Sequence, residues 1–498
     1  MTAVQPHLPI LLILVPLFAA LLTAFMRSGT LAWAVTLVAS WVLPFVSVSM
    51  LLEVSQTGKP IVYAMGNWDA PFGIEYQVDT LSAFVAVLVT VVGAIAMPFA
   101  RKSVASEIDS HVQAWYYTMY LLCLTGLLGI TMTGDAFNAF VFLEISSLAT
   151  YVMIAMGQHR RALVAAYQYL IMGTIGATLY VVGVGIMYVL TGSLNFYDIA
   201  SRLADIPPEQ IPSALTAVGF LVVGMSLKLA LFPMHVWLPN AYTYAPSFGT
   251  VFLAGTATKV AVYLLIRLLF SIFGVVVVLD ELPVMEILIV ASVAAMFIAS
   301  VSAVFETNAK RMLAYSSVAQ VGYITLGIGM ANAAGMTGAL THVFNHGIMK
   351  TALFMGLGIV AYRIGTCRLT DLSGIGRTMP LTMGAFLVAG LGLIGVPGTA
   401  GFVSKWYLAV GALENGWWWL VFLIVGSSLI AIVYIGRLTE IVWFREPTGA
   451  AAEARDPPLS MLLPLFVLAF ATIYFGIDTR MSAGIAATAA AELFGGLK

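Results

Sequence analysis

MSLKLALFPMHVWLPNAYTYAP, residues 225–246, sets Lys228, Pro233 and His235 inside an apolar segment that begins near Ala214. An ammonium at membrane depth costs roughly 2.5–3.5 kcal/mol by insertion measurements, so it is kept where it faces a partner or water. Five residues on, Pro233 removes a backbone donor and should break or kink the helix. Backbone groups freed at that depth survive only if they are buried in protein or line a wet cavity. A plain helix end with a snorkelling lysine is the competing reading. It is weakened by Met234 to Tyr244, which continue with helix-compatible apolar residues and put Lys228 away from an obvious interface.

The rest of the chain has the same character. Its 498 residues are 61% hydrophobic and 9% charged, with mean hydropathy +0.99 and formal net charge −1. A soluble domain carries about 25% charged residues, so these values describe an all-α polytopic membrane protein without a separate aqueous domain. Cys123 and Cys367 are far apart, and no CxxC or Cys/His spacing points to a metal or cluster. No P-loop, dinucleotide fingerprint or serine elbow occurs in the right context, so no cofactor is expected, and nucleic acid is not an expected partner. The first apolar stretch, Leu8 to Phe25, lacks a preceding basic residue and a credible cleavage site, and reads as a retained span.

About fourteen stretches reach the roughly 20 residues a bilayer requires. They lie near 8–26, 30–52, 78–100, 112–132, 136–156, 162–190, 213–243, 246–272, 283–305, 309–331, 335–362, 380–414, 417–443 and 460–478. Between the second and third, IVYAMGNW and IEYQV alternate as a surface hairpin does. Between the sixth and seventh, NFYDIASRLADIPPEQIP reads as a short interfacial helix ended by Pro207 and Pro208. Arg27, Arg101, Lys102, Arg160, Arg161, Lys310, Arg311, Arg363, Arg368, Arg377, Arg445 and Arg455 fall on one side, with Lys59 and Arg202 the main exceptions. That side is expected to be cytoplasmic, in the cell's inner (plasma) membrane, with both termini outside.

A second long apolar segment, LGLIGVPGTAGFVSKWYLAVG (391–411), pairs a break at Pro397 with Lys405, five spans after the first. Discontinuous helices at corresponding places in two halves point to a transport site. The expected organisation is N-terminal helices over 1–111, one unit over 112–272, a second over 283–443 and a C-terminal helix within 444–498. The order of lysine and proline is reversed between the two breaks.

Other polar residues also lie where hydrocarbon is expected. Glu144 is the only central acid of its span, and a carboxylate there stays charged only if a cation such as Lys228 faces it. Lys259 follows small residues in GTATKVAVYLL. His342, His346 and Lys350 in HVFNHGIMK recur at i, i+4 and i+8, a titratable ladder about 12 Å long on one helical face. Each has a plainer explanation. A single histidine is often a hydrogen-bonded packing residue, and His235 would serve as well to cap free carbonyls. HxxxH also resembles a metal pair, but no third ligand is near. Arg267 and Glu306 fit ordinary anchoring at span ends, and Trp417 to Trp419 an aromatic belt. Taken together, Glu144, Lys228, Lys259, His342, His346, Lys350 and Lys405 form a row suited to protons if waters bridge them.

The motifs LEISSLATY, LKLALFPMHVWLPNAYTYAPSF, ATKVAVYLLIR, KRMLAYSSVAQVGY, THVFNHGIMKTALF and GVPGTAGFVSKWYL jointly resemble the proton-translocating antiporter-like subunits shared by Mrp-type cation/proton antiporters, respiratory complex I and membrane-bound hydrogenases. The similarity runs from about Trp115 to Phe444. It implies fourteen spans, two inverted five-helix repeats and broken seventh and twelfth helices. It maps the family's essential glutamate onto Glu144 and its first broken-helix lysine onto Lys228. The connecting lysine maps onto Lys259, the eleventh-span histidine onto His342 or His346, and the terminal titratable residue onto Lys405. A lysine at that last position looks more like the D type of Mrp subunit, whereas the complex I subunit most similar in length and layout usually carries glutamate; a lysine there is also found in other complex I and hydrogenase paralogues. The resemblance implies a secondary transporter subunit with other integral membrane subunits as partners, exchanging protons for Na+ or K+ across the lipid bilayer. The alternative is the pump module of an NADH:quinone oxidoreductase or hydrogenase.

Overall fold

A computed structural model describes residues 5–274 and 283–495. The N-terminal expectation over 1–4, the C-terminal one over 496–498 and the link 275–282 lie outside the described residues. The chain opens with α1 (Leu8–Ala24), α2 (Gly29–Thr57), a hairpin of β1 (Ile61–Ala64) and β2 (Glu75–Val78), and α3 (Thr80–Glu107). The strands pair antiparallel with Ile61 opposite Val78, as the alternation predicts. Then come α4 (Gln113–Met132), α5 (Ala136–Ala155), α6 (Arg160–Thr191) and the short α7 (Phe196–Leu203), which is the expected interfacial helix.

The seventh span is α8 (Ile211–Leu229) and α9 (Trp237–Tyr244), and the eighth is α10 (Ser247–Ile272). They are followed by α11 (Val284–Phe305), α12 (Ala309–Gly329) and α13 (Ala333–Ile364). The twelfth span is α14 (Pro380–Ile394) and α15 (Ala400–Glu414), and α16 (Trp418–Phe444) and α17 (Leu459–Ile477) complete the set. Among the described residues, eleven helices are long and apolar enough to cross a membrane. The shorter α1, the more polar α12 and the divided α14/α15 bring the total to the fourteen expected. From α4 each unit has five spans, an odd number, so the second enters from the opposite face and the two units are inverted.

Helix starts are set by side chains that accept from otherwise orphaned backbone donors. Asp79 accepts from Ser82 N at 2.9 Å, Asn308 from Lys310 N at 2.9 Å and Asn332 from Gly335 N at 2.7 Å. Within the bundle α6 packs along α8 through glycines: a Cβ on Gly224 would meet the Gly176 carbonyl at 2.7 Å. Close backbone approach of this kind is how helices associate in lipid.

Both breaks are built alike, and neither starts at its proline. Ala230 (φ +60) follows α8, with Ala230 N bonded to Leu227 O and Leu231 N to Ser226 O. Gly395 (φ +92) follows α14, with Gly395 N bonded to Gly392 O and Val396 N to Leu391 O. These are paired Schellman closures around a left-handed residue. Pro233 and Pro397 sit three and two residues later, where a helical donor is no longer required. By contrast Pro44 and Pro98 lie inside unbroken α2 and α3.

One element was not expected. After α17 the chain turns back as α18 (Ile485–Gly495), whose Ala486, Ala489, Ala490 and Leu493 are buried against α13 and α3. Thr80 Oγ1 donates to Glu492 there at 2.6 Å. Its small residues give too weak a hydropathy signal in eleven residues to stand out.

Candidate functional site

The last turn of α8 aims Lys228 at α5. Its Nζ donates to Ser147 Oγ at 2.7 Å and lies 3.5 Å from Glu144 Oε1. Glu144 and Ser147 share a face because they are three residues apart on one helix. The Leu227 carbonyl, which accepts from Ala230 N at the closure, also accepts from Trp237 Nε1 at 3.0 Å. His235, for which carbonyl capping is the plainer of two readings, stacks on Phe232. A small cavity lined by Ser147, Thr150, Tyr169, Lys228 and Ala257 lies between this pair and α10.

The eighth span bends at Thr256 (φ −127, ψ −58), and Lys259 Nζ donates to the Ala254 carbonyl beside that bend. In the second unit Lys350 donates to Leu313 O at 2.8 Å and to Ser316 Oγ, both on α12. One turn along, His346 is fully buried and neither ring nitrogen has a hydrogen-bond partner among the described residues. Its ring lies parallel to His342, with centroids 5.7 Å apart. His342 is held at both nitrogens, Nδ1 by Ser404 Oγ at 2.7 Å and Nε2 by Gln320 Oε1 at 2.8 Å. The HxxxH spacing therefore produces a stacked pair, and among the described residues no group of three His, Cys, Asp or Glu side chains is placed to hold a metal.

Lys405 resolves the reversed order of lysine and proline. From α15 its side chain folds back onto the carbonyl end of α14, donating to Ile394 O at 2.7 Å and Leu393 O at 3.2 Å. Ser428 Oγ at 2.9 Å and the face of Tyr323 complete its surroundings. A cation at a helix C-terminus meets both the free acceptors and the negative end of the dipole.

The predicted row thus resolves into three clusters: Glu144 with Lys228, Lys259 alone at its bend, and Lys350–His346–His342 leading towards Lys405. No direct side-chain hydrogen bond joins one cluster to the next among the described residues, and within the ladder the two imidazoles stack in parallel. Ser147, Ser316, Gln320, Ser404 and Ser428 contact the row and were not singled out from sequence. Their neighbours Glu144, Lys405 and the SSVAQ run offered the only signal.

On the basic face, Glu107, Arg161, Lys310, Arg311, Arg368 and Arg437 line one basin of about 1390 Å³ that both units share. Residues from three separate loops meet there, as the charge count predicts. Arg311 pairs with Glu306 at 2.9 Å at its rim.

The family model described as "NADH:quinone oxidoreductase/Mrp antiporter, TM" matches residues 133–431. The chain is similar to the N subunit of the NADH-quinone oxidoreductase of Desulforudis audaxviator, 40% identical over 95% of this chain and 96% of the relative. It is similar to the D subunit of the Na(+)/H(+) antiporter of Alkalihalophilus pseudofirmus, 29% identical over 94% of each. Among solved structures, a chain of an archaeal membrane-bound sulfane sulfur reductase superposes with TM-score 0.89 at 29% identity, covering 97% of each chain. A chain of the Mrp complex from Dietzia sp. superposes with TM-score 0.88 at 25% identity, covering 99% of this chain and 98% of that one.

Proposed function

The chain belongs to the NADH:quinone oxidoreductase/Mrp antiporter transmembrane family, and from that premise we propose that it is the proton-translocating, D-type component of a multisubunit Na+ or K+/proton antiporter. The observation that carries the reading is Lys405, an ammonium held by the free carbonyls of a broken helix at the end of the buried row. A row of fixed amines and imidazoles suits protons, whereas a sodium site needs several oxygen ligands and few cations. The 40% identity to a protein named for NADH-quinone oxidoreductase favours a second reading, the pump module of such a complex.

In the proposed scheme the basin feeds the unit 112–272 from the cytoplasmic face, and both termini lie outside the plasma membrane. A proton resides on Lys228 while Glu144 remains its charged partner. When the 3.5 Å contact opens, Lys228 gives up its proton towards Lys259. The charge then passes along Lys350, His346 and His342 to Lys405 in the unit 283–443, and leaves on the other side.

Other membrane subunits are part of the reading. Phe137, Val141, Leu148 and Val152 are exposed on the same stripe of α5 that carries the part-exposed Glu144. A carboxylate facing lipid at that depth is costly, so a neighbouring subunit covering the stripe gives it a setting.

The test uses everted membrane vesicles holding the whole native complex, with an acid interior reported by a fluorescent pH probe. Addition of Na+ or K+ without an electron donor should collapse the gradient in wild type and not in Lys228→Ala. A Lys228-dependent gradient built only when NADH or another donor is supplied would instead establish the pump reading.

A further inference from the structure

Arg267 reads from sequence as a span-end anchor, and its position agrees with that reading while its surroundings do not. Taking α10 as a ruler, Ser247 borders the basic-face residues: its N–H donates to Glu107 at 2.8 Å and its Oγ accepts from Lys310 at 2.9 Å. Lys259 is twelve residues further, about 18 Å, and Arg267 twenty residues further, about 30 Å, the thickness of the hydrocarbon. Arg267 therefore stands at the opposite interface, where such a side chain normally reaches for water. It is instead only 6% exposed and ion-paired with Asp79, the residue that caps α3.

The pair is one end of a hydrogen-bonded network. Arg267 Nε donates to Tyr263 Oη at 3.1 Å, and its Nη2 donates to Ser82 Oγ at 2.9 Å. Ser82 Oγ and Tyr263 Oη are 2.9 Å apart, and Tyr263 also donates to Thr131 O at 3.1 Å. Lys259, Tyr263 and Arg267 recur at i, i+4 and i+8, so Tyr263 lies one turn above Lys259 on the same face. From the surface, a small pocket lined by Gln77, Thr133, Tyr197, Tyr263, Arg267 and Ser271 opens onto this network. The hydroxyls of Tyr263 and Ser82 thus lead from the face of α10 that carries Lys259 to the part-buried carboxylate of Asp79 at the outer interface.

We propose that this network is an outer proton port of the first unit, with Tyr263 and Ser82 as the relay from Lys259 and Asp79 as the group that exchanges protons with the outer solution. The proposal rests on the transport reading above and adds a second exit to the one at Lys405. The Lys259 ammonium, which rests on the Ala254 carbonyl, swings round to the Tyr263 side of the helix, and bridging waters carry its proton to the Tyr263 oxygen. The Tyr263 hydroxyl turns from Thr131 O to Ser82 Oγ and passes its proton there, and the Ser82 proton moves to the Asp79 carboxylate and on to water, leaving Lys259 neutral and both hydroxyls intact.

Arg267 carries no proton itself, since a guanidinium does not deprotonate in proteins. Its fixed charge repels a cation arriving at the port, as arginines do in other selective pores, and its pairing with Asp79 keeps the port shut until the pair parts. Burial favours the protonated form of Asp79, but the Arg267 charge and its hydrogen bonds outweigh this and hold the carboxyl below its ordinary range. The other titratable groups facing the site are Tyr263 on α10, Tyr197 on α7 and Glu75 on β2, with Glu492 of α18 bonded to the adjacent Thr80.

The experiment uses the same everted vesicles with the whole complex, varying lumenal pH, which bathes the outer face, separately from bath pH. Tyr263→Phe keeps the ring and removes the relay hydroxyl, so exchange in normally assembled complex should fall about tenfold or more, the low end for loss of a positioned proton-transfer group. Asp79→Asn should change the dependence of rate on lumenal pH and leave its dependence on bath pH alone, a split that a structural staple between α3 and α10 would not produce. Wild-type rates and pH profiles for both variants, with Lys228→Ala inactive, overturn the port and leave the transport reading standing. Wild-type rates in all three overturn both.

Discussion

Lys228 stands closer to Ser147 than to Glu144, 2.7 Å from the hydroxyl and 3.5 Å from the carboxylate. A buried charge pair is strongly coupled when in contact and costly when separated. The serine gives the ammonium a polar partner whichever way the carboxylate moves. Ser147→Ala should leave Glu144 as the only charged partner, tighten that pair and slow its opening. A hydrogen bond to a charged group is worth roughly 1.5–3 kcal/mol, so cation-driven exchange is expected to fall at least about tenfold. An unchanged initial rate in assembled complex would show that the hydroxyl has no part in the step.

His346 and His342 sit side by side yet make opposite predictions. His342 is bonded at both nitrogens, so His342→Leu leaves the Gln320 carbonyl oxygen without its partner in a buried site, while Ser404 keeps its bond to Gly401 O. A loss of about 1–3 kcal/mol per unsatisfied group follows, visible as a lower thermal unfolding midpoint. His346 has no hydrogen-bond partner to lose among the described residues, and replacing an unsatisfied polar side chain by an apolar one of similar size is close to neutral. His346→Leu should therefore keep the midpoint and abolish transport. A midpoint that drops as far as that of His342→Leu would show His346 to be a packing residue.

The contrast between these histidines marks how far the sequence can be read. Fourteen spans, the hairpin at Ile61–Ala64 and both interrupted helices were legible, because each needs only hydropathy, alternation or a proline in an apolar run. Lys228 facing Glu144 was legible because a lone acid and a lone amine in hydrocarbon need each other. The partners of His342 were not, since Gln320 and Ser404 come from spans far apart in the chain and their types are common. Arg267 was misjudged for a related reason: an arginine at a span end looks the same from sequence whether it reaches for water or for Asp79. The site of each break was also offset, because backbone handedness at Ala230 and Gly395, and not the proline, closes the preceding helix.

Lys405 distinguishes a lysine from a carboxylate at the end of the row. Its ammonium donates to two backbone carbonyls and Ser428 at the negative end of α14. Lys405→Glu would set an anion against those acceptors, opposing the helix dipole and leaving the carbonyls unsatisfied. Transport should be lost and the unfolding midpoint lowered by the equivalent of about 2 kcal/mol or more. Lys405→Met keeps the stem without the charge, so it should lose transport with a smaller change in midpoint. Stable, active Lys405→Glu complex would mean that the carbonyl cradle tolerates either sign, and would remove the main argument for the antiporter reading.

Ala230 and Gly395 occupy the same left-handed position in the two breaks, and only one is glycine. A side chain in that conformation costs roughly 1–2 kcal/mol, whereas glycine adopts it freely at an unfolded-state cost of about 0.5–1 kcal/mol. Ala230→Gly should therefore raise the unfolding midpoint slightly or leave it unchanged while exchange continues. Ala230→Val adds a branched side chain at a fully buried residue, so it should either shift the break or prevent assembly. The informative comparison is at Lys228, two residues before the break: if the valine variant assembles, a moved break turns the last turn of α8 and takes the ammonium off Ser147. Normal exchange by assembled Ala230→Val would show that Lys228 reaches its partners without the closure at Ala230, and that the broken helix is not what positions it.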